Sequence, residues 1–300
     1  MKGGVQQMLP VELLPEVAAS SPWCLRWQQR RHSWRHVRDG GFDARRYAVD
    51  VMAEAEPAKS FVLAHHYASS YPPVSVQFGL YDTVDGARRL CGVATFGVPA
   101  TTAVLTNPLP ELTPYTESLV CSRFVLLDEC PGNAESWFLA RCFDQLLTRG
   151  VRGIVTFADP VPRRTASGKL VMPGHVGTIY AATNALYAGR ATARTLKLLP
   201  DGTVFDDRAA QKIRRQEQGH RYAEARLLAL GAPPRPSGHP PSIWLREALA
   251  AIGARNMRHR GNHRFVWPLG RNQRERDQVA LGLPPQWPYP KVPDLDPALR

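Results

Sequence analysis

Apolar and polar positions along the chain fall into a few readable blocks. The clearest runs from Leu119 to Trp137, LVCSRFVLLDECPGNAESW: an apolar strand pattern, a Pro-Gly turn, and an Asn that opens an apolar-periodic helix. That helix, AESWFLARCFDQLLTRG, sets Trp137, Phe138, Ala140, Cys142, Phe143, Leu146 and Leu147 on one broad face and ends at Gly150. VRGIVTFADP then reads as a buried strand ending in Asp159 and Pro160, and strand, helix, strand with short connections predicts an α/β layer. Backbone N–H groups at a turn where a helix begins form a cradle for an anion such as a pyrophosphate.

Upstream, FDARRYAVDVMAEA (42–55) carries apolar residues at helical spacing and predicts a first helix stopped by Pro57. SFVLAHHYASSYPP (60–73) reads as a short buried strand or helix end running into a polar turn, with His65, His66 and Tyr67 at the junction. VSVQFGLYD and LCGVATFGVP flank an Asp-Gly turn, a hairpin signal, and 100–117 is a Thr- and Pro-rich loop. Downstream, VPRRTASGKLVMPG is a polar loop, and HVGTIYAATNALYAG predicts a second amphipathic helix with Tyr180 and Tyr187 near one face. ARTLKLLPDGTVF predicts a strand and a turn. From Asp206 a charged helix or helix pair, a Pro-rich linker (APPRPSGHPP), a short helix (SIWLREALAAIGA), a basic run around Asn256, Gly261 and Asn262, a β-like HRFVW and an extended tail follow. These blocks divide the chain into an N-terminal arm and helix (1–58), a core (59–205) and a helical C-terminal extension (206–300).

Charge sharpens this division. The net charge of +12 is concentrated in residues 26–46, with seven arginines against two aspartates, and in 206–300, with 17 basic against nine acidic residues; residues 47–205 balance at 13 and 13. A neutral centre flanked by basic segments suits docking on a polyanion, although an arginine-rich composition alone gives the same totals. Trp23, Trp27 and Trp34 interleave with arginines in the arm, where they either stack on bases or anchor the arm to the core. No apolar run reaches the roughly 20 residues a membrane helix needs, and the N-terminus lacks a signal-peptide core, so a soluble, cytoplasmic protein is expected. The five cysteines, Cys24, Cys91, Cys121, Cys130 and Cys142, show no C-x-x-C spacing and read as reduced thiols. There is no internal repeat and no Walker or Rossmann glycine pattern.

The order of elements resembles the GNAT acyltransferase fold: a mixed α/β (α+β) central sheet with flanking helices. HHY at 65–67, GVATFG at 92–97, SRFVLLDECPGNAESWFLAR at 122–141, FADP at 157–160, HVGTIYAATNALYAG at 175–189 and HRFVW at 263–267 resemble the Mom family of bacteriophage-type DNA modification proteins. The resemblance implies an enzyme, a transferase that modifies the N6 amine of adenine in double-stranded DNA to N6-carbamoylmethyladenine with acetyl-CoA as ligand, masking the DNA from restriction. It carries over Tyr67, Arg123, Asp159 and Tyr180 as catalytic positions and Ser136 as a ligand-binding one. The R/Q-x-x-G-x-G/A phosphate loop of GNAT enzymes is replaced here by LDECPGNAESW.

On that reading Gly132, Asn133, Ala134 and Ser136 hold the pyrophosphate through backbone N–H groups and the Ser136 hydroxyl, whereas as a plain sequence feature Ser136 is a first-turn helix residue. Adenine N6 is a poor nucleophile whose proton a base must take, and Asp159 is either that base or an Asp-Pro turn residue. Tyr180 donates a proton or positions the acyl group, Arg123 neutralises a phosphate or carbonyl oxygen, and Tyr67 lines the base pocket; tyrosines at helical spacing also serve as core. The adenine must be flipped out of the duplex. Iron is conceivable through His65, His66 and His175, but their spacing matches no standard site and no metal is expected. Two other classes fit the residues: a GNAT N-acetyltransferase acting on a protein or small amine, and a non-catalytic DNA-binding protein on a GNAT scaffold. A dimer is compatible with the sequence, which carries no signal of oligomeric state.

Overall fold

A computed structural model of the chain describes residues 23–28, 31–36, 41–68, 70–83 and 86–294. In chain order the elements are β1 (Trp23–Gln28), β2 (Arg31–His36), β3 (Tyr47–Val51), α1 (Ala55–His65), β4 (Val76–Asp82), β5 (Arg89–Gly97), α2 (Ala103–Thr106), β6 (Ser118–Leu126), α3 (Ala134–Leu147) and β7 (Gly153–Ala158). They continue as β8 (Arg163–Arg164), β9 (Leu170–Met172), α4 (Thr178–Ala182), β10 (Leu186–Arg190), β11 (Arg194–Leu198), β12 (Val204–Phe205), α5 (Asp207–Arg215), α6 (His220–Ala229), α7 (Pro241–Ala251), β13 (Arg255–His259), β14 (His263–Pro268) and α8 (Gln273–Asp277). The backbone of the arm forms an antiparallel hairpin, β1 with β2, while the expected roles of the Trp23, Trp27 and Trp34 side chains lie outside the described residues.

The chain forms two compact units, each discontinuous in sequence: residues 1–157, 176–189 and 264–292, and residues 158–175, 190–263 and 293–300. The first is built on a mixed seven-stranded sheet in the order β10-β14-β7-β6-β5-β4-β3. Strands β3 to β6 are antiparallel neighbours, and β6 runs parallel to β7. Helix α1 lays Ala58 and Val62 on Met52 and Val93, and Leu105, Leu109, Val155, Ala188, Val266 and Val279 form a further cluster. Helix α3 buries Phe138, Leu139, Cys142 and Leu146; its Phe138 meets Phe124, and its Phe143 meets Phe96 and Trp267. The cysteines at 91, 121, 130 and 142 are buried.

Two expected helices are corrected. Residues 42–55 supply strand β3, because Tyr47 to Val51 find ladder partners from Asp82 to Phe78, and α1 begins only at Ala55. Pro57 lies in the first turn of that helix, where a missing N–H removes no intrahelical bond, so it starts the helix it was read as stopping. The 175–189 segment makes only the short α4; Asn184 at φ 63° breaks the helical path, and Tyr187 continues in strand β10. The late apolar run HRFVW becomes β14, which enters the sheet between β10 and β7.

In the second unit, α5, α6 and α7 enclose a core of Ile213, Leu227, Trp244, Leu245 and Leu249 together with Leu199 and Phe205. Asp206 caps α5 by accepting from the Ala209 N–H at 2.7 Å. A three-stranded sheet, β12-β11-β13, and the β8–β9 hairpin complete it.

Candidate functional site

The site in the first unit begins with a break in the β ladder. On β5, Thr95 and Phe96 are consecutive, but on β6 their partners Arg123 and Cys121 are two apart, so Ser122 is the extra residue of a bulge. Consecutive strand residues point to opposite faces, and the bulge therefore turns Arg123 to the face opposite Cys121. The Ser122 and Thr95 hydroxyls are 2.9 Å apart and pin the bulge. Beside it, β6 pairs with β7 only from Ser118↔Gly153 to Cys121↔Thr156, although both strands continue. The Thr156 hydroxyl donates to the Cys121 carbonyl at 3.0 Å and closes the last rung before the strands part.

Three predicted residues converge there. Arg123 is held by the segment after α1: its Nε donates to the Ser70 carbonyl at 2.9 Å and its Nη2 to Ser70 Oγ at 2.7 Å. Burial lowers the Arg123 pKa, opposed by attraction to Tyr67, Tyr180 and Cys121, so these groups share one electrostatic environment. Tyr180, buried on α4, has its phenol pKa pushed well up by burial first and then by Cys121 and Tyr67, while the Thr156 hydroxyl and Arg123 oppose the shift. It therefore stays a neutral O–H donor at physiological pH. Its ring is wedged edge-on between Phe265 and Trp267, with centroids 5.5 and 5.4 Å away. Burial raises the Cys121 thiol to about 12, which leaves it protonated and un-nucleophilic. Tyr67 is half-buried and packs on the His66 ring at 4.2 Å.

The predicted cradle lies at the start of α3. Asn133 adopts the left-handed conformation, φ 71°, and the Trp137 N–H closes the first helical bond onto its carbonyl. The Ala134 N–H is turned back onto the Pro131 carbonyl at 3.2 Å, and the Ser136 hydroxyl donates to the Asn133 carbonyl at 3.1 Å. The first-turn reading of Ser136 thus describes its hydroxyl, and an anion at this turn would meet backbone N–H groups first.

Asp159 belongs to the second unit. Its Oδ1 accepts from His259 Nε2 at 2.9 Å and from the Val161 N–H at 3.1 Å, and its Oδ2 is ion-paired with Arg163. Burial pushes its pKa up, but the His259 hydrogen bond and the Arg163 charge outweigh this and hold it at about 2. A carboxylate held so far down is a weak proton acceptor. His259 is fully buried, and its Nδ1 accepts the Gly261 N–H at 3.0 Å, which assigns the Nε2 proton to the bond with Asp159. Burial depresses the pKa of His175 and His263 to about 4. Among the described residues no group of three or more His, Cys, Asp or Glu is placed to hold a metal ion.

The model of the Mom protein family matches residues 47–291, more than half of the chain. The chain belongs to the Mom protein family. No curated protein sequence matches the chain. Among solved structures it is similar to a tandem GNAT protein from the clavulanic acid biosynthesis pathway, without AcCoA, at 11% identity and a TM-score of 0.33. That match covers 64% of this chain and 53% of the other, so the chain spans about half the length of that protein.

In this Mom-family chain, Tyr67, Arg123 and Tyr180 come from three separate segments to one place. Ser70, Thr156 and His259 were not singled out by sequence. Ser70 carried a weak signal, sitting in the polar turn after HHY, whereas His259 was hidden in a basic run that read as a DNA-facing patch.

Proposed function

We propose that this protein modifies the N6 amine of adenine in double-stranded DNA, producing N6-carbamoylmethyladenine with acetyl-CoA as the ligand. The convergence of Tyr67, Arg123 and Tyr180 where β6 and β7 part, in a chain of the Mom family, carries this reading. Pairing of β6 with β7 ends at Cys121↔Thr156, and α3 follows the end of β6 in the chain. Of the expected residues Gly132, Asn133, Ala134 and Ser136, the Ala134 N–H is engaged by the Pro131 carbonyl, and the others would hold the ligand's pyrophosphate chiefly through backbone N–H groups.

Tyr180, kept protonated by burial, is the hydrogen-bond donor toward the bound ligand. Arg123 stays cationic and fixes the Ser70 segment, and Tyr67 lines the base pocket. Asp159 acts as the buried anchor of the second unit's loop instead of as the proton-accepting base, because its carboxylate is already committed to His259, Arg163 and Val161. Enzyme action on N6 requires extrusion of the adenine, and the basic segments grip the backbone meanwhile. Nucleoside mass spectrometry of DNA from expressing cells tests the reading: a new adenine derivative is expected with the native protein and a strong loss with Tyr180→Phe. Unmodified DNA alongside transfer of labelled acetyl to protein would overturn it.

A further inference from the structure

The Pro-rich segment near the end of the chain, LGLPPQWPYP, is fastened beside the first unit's edge strand β10 at two points flanking Trp287 and Pro288. The Gln286 N–H donates to the Tyr187 carbonyl at 2.7 Å, and the Tyr289 hydroxyl donates to the Ala185 carbonyl at 2.7 Å. The approach is tight, since a Cβ on Gly189 would fall 2.6 Å from Gln286 Nε2. Between these anchors Trp287 is 72% exposed, although tryptophan is the side chain with most to gain from burial.

Its ring is supported from behind. Trp287 meets Tyr289 edge-on with centroids 4.4 Å apart, Tyr289 lies parallel to Phe265 within 5° at 6.3 Å, and Phe265 contacts Tyr180 at 5.5 Å. An unbroken run of rings thus leads from the tyrosine of the candidate site to an indole standing in solvent. Prolines at 284, 285, 288 and 290 restrict the backbone around it, so the ring loses little freedom when something docks on it.

A nucleobase has the matching chemistry: a flat π-face that stacks on an aromatic ring whatever its sequence. Extruding an adenine leaves its neighbours with exposed faces, and a rigid ring that covers one of them favours the extruded state. We propose that Trp287 stacks on the bases next to the extruded adenine and holds the opened duplex in place while the base occupies the site at Tyr180. This rests on the DNA-modification reading and adds to it the residue that stabilises the opened DNA.

The test measures binding of the full chain to fluorescein-labelled duplexes by anisotropy, once with fully paired DNA and once with an adenine opposite an abasic site. Trp287→Ala is expected to weaken binding to paired DNA by about tenfold or more, with a smaller deficit on the already opened duplex, while Trp287→Phe stays close to native. Tryptophan emission of the native protein should be quenched by duplex, and less so in Trp287→Phe. Native-level binding of Trp287→Ala to both duplexes overturns the proposal and leaves the modification reading standing. So does an equal deficit on both duplexes, or a change of sedimentation coefficient in Trp287→Ala, which would place the indole in a protein interface. Absence of DNA binding by the native chain would overturn both.

Discussion

Arg123 grips Ser70 through two separate donors, Nε to the carbonyl at 2.9 Å and Nη2 to the hydroxyl at 2.7 Å. The guanidinium spans both acceptors from a strand position that the bulge at Ser122 has turned toward them. It ties the segment that carries Tyr67 to the central sheet, so its first effect on chemistry is positional. A lysine keeps the charge but cannot present two donors in a fixed fork. Hydrogen bonds to charged groups are worth about 1.5–3 kcal/mol, so losing one should raise opening of this segment about tenfold or more. Arg123→Lys is expected to increase hydrogen exchange across residues 66–71 and to reduce adenine modification, with little change in the melting temperature. Unchanged exchange there would remove the positional role.

Asp159 offers a sharper separation between anchor and base. Its folded pKa of about 2 lies below the ordinary value of 3.8, so it contributes stability that is complete above 3.8 and lost as pH falls toward 2. Asp159→Ala leaves Arg163, largely buried, without this carboxylate, and breaking a buried pair costs about 3–5 kcal/mol. Melting followed by circular dichroism should show a large loss at neutral pH that shrinks toward pH 2. A variant with native stability and no activity would instead restore Asp159 as the base.

These features explain which parts of the molecule were readable from sequence. The β4–β5 hairpin and the β6–α3–β7 unit were legible because each is a local pattern with its own turn. Strand β3 was not, because its five residues gain their identity from pairing with Asp82 to Phe78, 27 to 35 positions away in the chain. The helix expected over 175–189 failed at Asn184, whose left-handed backbone is chosen by the strand that follows. Motif positions alone pointed to Tyr67, Arg123 and Tyr180, whose roles are proposals, whereas the bulge that orients Arg123 and the Ser70 clamp depend on register, which leaves no mark on composition.

Acid sensitivity should come from histidines as well. His175 and His263 are held at about 4 by burial against an ordinary 6.5, so the unfolded chain binds more protons than the folded one between these values. Stability contributed by the neutral rings is complete above 6.5 and declines as pH falls to 4. The melting temperature should therefore drop from pH 7 to pH 5, and His263→Gln should flatten that slope. A slope identical in the native chain and in His263→Gln would refute the assignment for that residue.

Gly261 supports the Asp159 anchor from one step further out, since its N–H donates to His259 Nδ1. It sits at φ 99°, and an added Cβ would fall 1.9 Å from the Ala191 carbonyl oxygen, a collision with backbone that no rotamer relieves. Gly253 provides the control, at φ 69° with nothing within 4 Å of the corresponding position. Alanine at either residue incurs the conformational strain of positive φ, about 1–3 kcal/mol, but only Gly261→Ala must also push two backbone segments apart. Thermal melting is expected to show a modest decrease for Gly253→Ala and a much larger one, or failure to fold, for Gly261→Ala. Equal decreases would mean that Ala191 does not approach this turn, and the support proposed for His259 would fall with it.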